Sequence, residues 1–250
     1  ALGAAVQADI LAGNNVSMLL LDVTPLSLGI ETMGGLMDVL LPRNSKIPTK
    51  AGRQYTTQKD GQSGINIAVF QGERDLVKDN RKLGEFTLKG IPSMPAGLPK
   101  VEVTFLINAD GILQVNAKEL RSGVAQSIDI KPQYGLTDEE VEQRLLDSIT
   151  NAKADIATRA LVEASTEAEQ MLEVTEKFIS KNHVLLSKAE LSQTAEAMQA
   201  LQLAITLEDK NLIQSKTAEL NDITRPFAER AMDQAISGAL KGKDIQDKDF

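Results

Sequence analysis

Chain-breaking residues are confined to one side of this sequence. Fifteen of the 17 glycines and seven of the eight prolines lie before Leu136, and only Pro226, Gly238 and Gly242 follow it. Breakers at short spacing delimit strands joined by turns, and a long stretch nearly free of them is the habit of helices. Charge divides at the same place. Residues 1–136 carry 14 basic and 13 acidic side chains, net +1, and residues 137–250 carry 13 and 22, net −9. A chain of 250 residues has room for two ordinary domains. The sequence therefore reads as an antiparallel β-sandwich followed by an acidic α-helical bundle.

The β half is built from short alternating runs. Leu26, Leu28 and Ile30 point one way while Ser27 and Glu31 point the other, the period-2 pattern of a half-buried strand. Gly34-Gly35 supply a turn that accepts positive φ, and Leu36, Val39 and Leu40 open the next strand. A strand over Gln54–Gln58 turns at Lys59-Asp60-Gly61, and Ile65, Ile67 and Val69 then alternate with Asn66, Ala68 and Phe70. Val101, Val103, Phe105 and Ile107 form another strand, which turns at Asn108-Ala109-Asp110-Gly111 into Ile112–Ala117. Ser122-Gly123 turns the chain once more before Ala125–Ile130. Strands at this spacing with Asp-Gly and Gly turns argue a sandwich. With no tryptophan its core must be aliphatic.

The acidic half opens on a capping box. Thr137 can cap, Glu140 can reach back, and Leu136 can staple onto Val141. Val141, Leu145, Ile149, Ala152 and Ile156 then repeat as one apolar stripe, continued by Leu161, Ala164, Ala168, Met171 or Leu172, Thr175 and Phe178. A loop is expected at Ser180–Leu186, a second capping box at Ser187–Glu190, and a third helix start at Thr206–Asp209 leading to Leu212, Ile213, Leu220 and Ile223. Short loops between such helices predict antiparallel neighbours in a bundle.

Several chemistries are excluded by residue type. There are no cysteines, hence no disulfide, thiolate nucleophile or Cys-ligated metal, a pattern that fits a reducing cytoplasm. The single histidine, His183, sits in a polar loop and cannot build a triad or a metal site alone. Gly29–Gly35 has phosphate-loop glycine spacing without the Lys-Ser/Thr that grips phosphate, and Gly61-Gln-Ser63-Gly64 falls short of a nucleophile elbow because Ile65 holds the last position. No catalytic centre, metal site or cofactor is expected in these residues. The acidic balance disfavours nucleic acid, and no apolar run approaches the eighteen or so residues of a spanning helix, so neither nucleic acid nor membrane is the expected partner.

Ile30, Met33, Leu36, Tyr55, Ile65 and Ile67 cluster about turns, where they serve either as ordinary core or as the wall of a binding channel; periodicity leaves both readings open. One run goes further. Leu19-Leu20-Leu21-Asp22-Val23-Thr24-Pro25-Leu26-Ser27-Leu28-Gly29-Ile30-Glu31-Thr32-Met33-Gly34-Gly35 resembles the interdomain linker and first substrate-pocket strands of the DnaK-like, seventy-kilodalton heat-shock chaperones.

That resemblance implies a peptide-binding β-sandwich under a helical lid. It places the tail of a nucleotide-binding domain at residues 1–13, a linker at 14–23, the sandwich at 24–136 and the lid at 137–250. Ile65 would wall the central pocket, with Ile30, Ile67, Tyr55 and Val101 around and beneath it and Thr32, Leu36 and Thr56 beside it. Met33 would form half of an arch over the bound backbone. The other half, usually a small apolar residue, is Gln58 here. Lid contact would involve Asp60, Ala96, Glu169 and Glu173, where the general chaperone has an Arg at the position of Ala96 and an Asp and a His at those of the two glutamates.

These departures resemble the branch of the family specialised for iron–sulfur cluster assembly, in the bacterial cytoplasm. The implied partners are a cluster scaffold protein as client and a J-domain co-chaperone. ATP and Mg would be held by the parent's nucleotide domain, making the parent an ATPase and this portion no enzyme. A general-purpose folding chaperone and a non-catalytic assembly module remain the alternatives. The resemblance further implies that the linker residues Leu19, Leu20, Leu21 and Asp22 carry the signal between domains. Leu20→Asp in the full-length parent should abolish peptide stimulation of ATP hydrolysis while peptide binding by residues 1–250 stays unchanged; stimulation retained in steady-state ATPase assays would refute the assignment.

Overall fold

The computed structural model describes residues 22–132 and 136–241. The expected domain tail and most of the linker, including Leu19, Leu20 and Leu21, lie outside them. Asp22 and Val23 are held: the Ile47 amide donates to the Asp22 carbonyl at 3.0 Å, and Val23 bridges to Lys46.

Eight strands form two four-stranded antiparallel sheets. They are β1 (Leu28–Thr32), β2 (Leu36–Leu41), β3 (Thr49–Thr56), β4 (Gly64–Gln71), β5 (Arg81–Lys89), β6 (Lys100–Ile107), β7 (Leu113–Glu119) and β8 (Ala125–Ile130). One sheet has the order β2-β1-β4-β5 and the other β3-β6-β7-β8. Their facing residues seal one core, aliphatic except for the fully buried ring of Phe105, in which Leu28, Ile30, Ile67 and Val69 meet Val101, Val103, Phe105 and Val115. The alternation seen in β6 and β7 is the strict in–out pattern of strands covered on one face.

Three details of the β half depart from the sequence pattern. Ser27 is buried rather than outward, because its hydroxyl accepts the Arg43 amide at 2.9 Å while its own amide donates to Glu73 at 2.6 Å. Val39 lies on the exposed side of β2. The strand β5 has no clear period-2 signature. Its inward residues Leu83 and Phe86 are three apart, because the register with β4 shifts between Val69 and Phe70, opposite Gly84 and Lys82. A bulge of this kind inserts one residue and erases the alternation that identifies a strand.

Three helices follow: α1 (Asp138–Asn182), α2 (Lys188–Thr206) and α3 (Lys210–Lys241). Thr137 and Glu140 form the expected reciprocal cap, with the Glu140 amide 3.2 Å from Thr137 Oγ1 and the Thr137 amide 3.0 Å from Glu140 Oε2. Ser187 and Glu190 repeat it at α2, and Arg230 adds an ion pair to Glu190 at 2.6 Å. These donors hold the Glu190 carboxyl at about 2. The predicted loop after Phe178 is shorter than expected: α1 continues to Asn182 and a single 3-10 turn, His183–Leu185, completes the link. Thr206 ends α2 instead of starting α3, donating its hydroxyl to the Leu203 carbonyl at 2.7 Å. The cap of α3 is Asp209, which accepts the Asn211 and Leu212 amides at 2.9 and 3.1 Å.

The chain divides into two compact units, the first running through Asp155 and the second starting at Ile156, so the boundary falls inside α1. In the second unit Ala164, Ala168, Ala197, Leu201, Ile213 and Leu220 form the bundle core. The predicted stripe Leu161–Phe178 is thus the packed face. The stripe before it is packed only at its start, where Val141 and Leu145 are half-buried. Further on, Ile149 and Ile156 are 73% and 67% exposed, Ala152 is exposed too, and the buried residue of this turn is Asp155. The half-buried side of the segment also carries Arg144, Asp147, Ser148 and Asn151.

An ion pair dictates that rotation. Arg74, in the β4–β5 loop, grips Asp155 with two parallel bonds, Nε to Oδ2 at 2.5 Å and Nη2 to Oδ1 at 2.8 Å. A bidentate guanidinium–carboxylate contact fixes orientation as well as distance. Its hydrogen bond from Arg74 is the main reason that the Asp155 carboxyl sits below the ordinary carboxylate range. A lowered pKa contributes stability that is complete above the ordinary Asp value and lost as pH falls through the lowered one. Asp155→Asn should therefore cost roughly 2–3 kcal/mol of local stability at neutral pH, as an uncompensated charge is left behind. Amide hydrogen exchange over 138–155 is the measurement: faster exchange at pH 7, with the difference from the parent closing only as pH falls below the ordinary Asp value, is the expected outcome. Equal exchange at pH 7 would mean that the pair does not hold the helix.

Candidate functional site

The register between β1 and β4 ends early. Leu28, Gly29 and Ile30 pair with Gln71, Phe70 and Val69, and there the ladder stops. Beyond it, Glu31 and Thr32 of β1 pair only with β2, and Gly64–Ala68 of β4 pair only with β5. On their other sides these segments carry backbone groups that no strand among the described residues pairs with. Two strands that begin together and then cease to pair leave open stretches of strand edge, a candidate cleft beside the buried core.

The floor is closed core. Ile30, Ile67 and Val101 are 4% exposed or less, and Leu36 is buried as well. Ile65 and Tyr55 are half-buried and pack against that core. Thr32 and Met33 are half-buried at the β1–β2 turn, while Thr56 and Gln58 are exposed at the end of β3. The residues expected to wall a pocket thus separate into two sets. Ile30, Leu36, Ile67 and Val101 are sealed, and Thr32, Met33, Tyr55 and Ile65 border open space.

Each arm of the cleft is held by its own hydrogen bonds. Met33–Gly35 form a 3-10 turn with Gly34 and Gly35 at φ of 76° and 71°, a region where a side chain would be strained. The Thr32 hydroxyl closes this turn by donating to the Leu36 carbonyl at 3.2 Å. In the other arm, Gln62 folds inward. Its Oε1 accepts the Gln58 and Lys59 amides at 3.0 and 3.3 Å, and its Nε2 donates to the Gly64 carbonyl at 2.8 Å. The Gln58 backbone N–H is therefore already used, and only its side chain faces outward.

The loop before β6 braces this second arm. Gly61 donates to Met94 and Gly97 to Thr57, at 2.9 and 3.0 Å. Asp60 turns inward to accept the Ala96 amide at 2.9 Å, which joins two of the residues expected at a lid contact within one loop pair. Of the other two, Glu173 is paired with Lys177 along its own helix at 2.9 Å and Glu169 is exposed.

One cluster was not anticipated from sequence. The Tyr55 hydroxyl donates to Asp38 Oδ2 at 2.7 Å, and Arg53 forms an ion pair with Asp38 Oδ1. Burial first, and then this hydrogen bond, push the Tyr55 phenol well above its ordinary range. Arg53 and Tyr55 lie two apart on β3, which puts them on one side of the strand. Nothing local in the sequence marks Asp38, on a different strand, as their partner. Among the described residues there is no cluster of His, Cys, Asp or Glu that could hold a metal ion, and no helix is long and apolar enough to cross a membrane. Gly34 and Gly35 sit in the tight β1–β2 turn with no Lys-Ser/Thr after them, so these residues do not fit a nucleotide phosphate.

The arrangement suits an extended segment: strand edges for its backbone, an aliphatic recess for one side chain, and two braced arms. A family model described as Hsp70 protein matches residues 1–233. The chain is 49% identical over 249 residues to the chaperone protein HscA homolog of Laribacter hongkongensis (strain HLHK9). It is 47% identical over 249 residues to the HscA homolog of Chromobacterium violaceum and 46% over 249 to the chaperone protein HscA of Yersinia enterocolitica. Each alignment covers 99% of this chain and 40% of the relative, so the chain spans about two-fifths of the length of the proteins it matches. With a match of this extent across both the sandwich and the bundle, the chain belongs to the Hsp70 family.

Proposed function

We propose that this chain is the client-binding part of an Hsp70-family chaperone, and that it holds a short extended apolar segment in the cleft where β1 and β4 part. The observation that carries the reading is the half-open Ile65 packed against the sealed floor of Ile30, Ile67 and Val101, flanked by unpaired strand edges. Backbone groups along an open edge bind any extended chain, and an aliphatic recess selects one side chain. The helical unit acts as the lid, and Gln58 with Met33 forms the arch. ATP hydrolysis in the parent's nucleotide domain sets the affinity, with Mg, and a J-domain co-chaperone stimulates it.

The similarity to HscA chaperones supports a specialised client, the scaffold protein of iron–sulfur cluster assembly. Cluster ligands would belong to that scaffold, since this chain contains no cysteine. The setting is the bacterial cytoplasm. A peptide array separates this specialist from a general folding chaperone: one dominant motif supports the former, and broad binding the latter.

Substitution at Ile65 tests the cleft itself. Ile65→Phe adds volume at an edge site, where overpacking costs roughly 1–3 kcal/mol and leaves the unit folded. The client side chain, however, loses a recess whose burial contributes about 1.5–3 kcal/mol for a Val- or Leu-sized group. Affinity for an apolar extended peptide should fall roughly ten- to a hundredfold. Thermal unfolding and peptide titration on one preparation decide the matter. Parent-like affinity, or simple unfolding, would identify Ile65 as core.

A further inference from the structure

The edge strands β2 and β3 belong to different sheets and carry the bases of the two cleft arms. Asp38 lies three residues after Gly35, which closes the first arm, and Tyr55 lies three before Gln58, in the second. Among the described residues, the side-chain hydrogen bonds joining β2 to β3 both end on Asp38, one from the Tyr55 hydroxyl and one from Arg53. We propose that Asp38 is a positioning residue for client binding: by holding Tyr55 and Arg53 it clamps the bases of the two arms together and slows release of the bound peptide. The inference rests on the peptide-cleft reading above.

Three observations support the clamp. The carboxylate uses a different oxygen for each partner, so both bonds hold at once and the tie resists shear as well as separation. The side chain of Asp38 is 22% exposed and that of Arg53 52%, a setting in which a lone ion pair contributes little. The Tyr55 bond is different in kind, because its ring packs on the same core cluster as Ile65, so a shift of Asp38 is transmitted to packed side chains and not only to solvent. The third is chemical. With the Tyr55 hydroxyl bonded to Asp38 and Asp38 paired with Arg53, the polar atoms of the cluster satisfy one another and the half-buried ring is left to pack on apolar neighbours. Opening the arms to release a peptide would require this shared carboxylate to let go of one partner.

Tyr55→Phe removes one oxygen and leaves the ring, so it isolates the bond with little risk to folding. Asp38→Ala removes both bonds. The probe is a fluorescein-labelled octapeptide with three central leucines between polar residues, and the readout is its dissociation rate from the 250-residue chain. Each variant should release it about three- to tenfold faster, with association changed less than twofold. The double variant should be no faster than the quicker single one, because both remove the same link. A merely structural role would lower the unfolding temperature and leave the dissociation rate unchanged, which overturns the clamp. So would effects that multiply in the double variant.

Absorbance titration of the phenols gives an independent check. Of the two tyrosines, the one lost in Tyr55→Phe should ionise above the ordinary phenol range in the parent, and Asp38→Ala should bring it partway down. An unmoved titration means that the bond is not made in solution. Ile65→Phe, run alongside, separates the two ideas. If it abolishes binding while Tyr55→Phe and Asp38→Ala release at the parent rate, the cleft stands and the clamp falls. If Ile65→Phe binds normally, or the parent binds no probe, the cleft reading falls and the clamp with it.

Discussion

A strand ladder that stops short leaves amide and carbonyl groups that must find partners elsewhere, since unsatisfied buried backbone costs about as much as a lost hydrogen bond. The β1–β4 ladder stops at Ile30–Val69, and the architecture of the first unit follows from that stop. Had it continued, β1 and β4 would close a flat sheet over the core and no cleft would exist. Because it ends there, the two strands can diverge only if each keeps its other neighbour. Both do: β1 stays on β2 through Thr32, and β4 stays on β5 from Gly64. The open edges lie beside a core that is already sealed. Stability and access are thereby separated, with the core below supplying the first and the parted strands the second.

Within the first unit, the packing of residues 138–155 follows a different rule. Hydrophobic burial is proportional to area and indifferent to direction, so an apolar stripe would leave the helix free to roll. The Arg74–Asp155 fork fixes one rotation, and the exposed Ile149 and Ile156 are its cost. Asp155 also accepts a backbone hydrogen bond from Asp75, which ties the carboxylate to the loop as well as to the guanidinium. Such a contact is directional and charge-dependent, and can be released without exposing core.

Legibility in the sequence tracked the range of the interaction. The capping boxes at Thr137 and Ser187 were readable because donor and acceptor lie three residues apart, and the Gly34-Gly35 turn because its φ values demand glycine. Alternation identified β4 and β6, and the Ser122-Gly123 turn placed β8. It failed for β5, where a bulge in the pairing with β4 shifts the period, and for Ser27, whose burial depends on Arg43 sixteen residues away. The stripe through Ile149 and Ile156 misled for a related reason. Periodicity records which residues share a face, and cannot say that a single arginine 81 positions earlier will choose the opposite one. Within the cleft, the apolar residues were readable as a set. Their division into floor and rim was not, because it depends on where a ladder ends.

Magnitudes on the proposed reading indicate where control must lie. A net backbone hydrogen bond contributes about 1 kcal/mol and one well-buried aliphatic side chain about 1.5–3. Ordering the client costs about 0.5–1.5 kcal/mol for each side chain immobilised. A segment making about four such bonds and filling one recess therefore gains only a few kcal/mol, well short of the roughly 8 that a micromolar complex requires. The contacts along the cleft are enough to choose a segment and too weak to retain it. Retention must come from elements whose movement the client needs in order to leave, and these need not touch the client at all. The polar ties of the first unit fit that requirement. Asp38 joins the bases of the arms, Gln62 and Asp60 stiffen one of them, and Arg74 with Asp155 holds the helix. Each is directional and can be broken singly while the aliphatic core stays closed, which lets a binding unit open without unfolding.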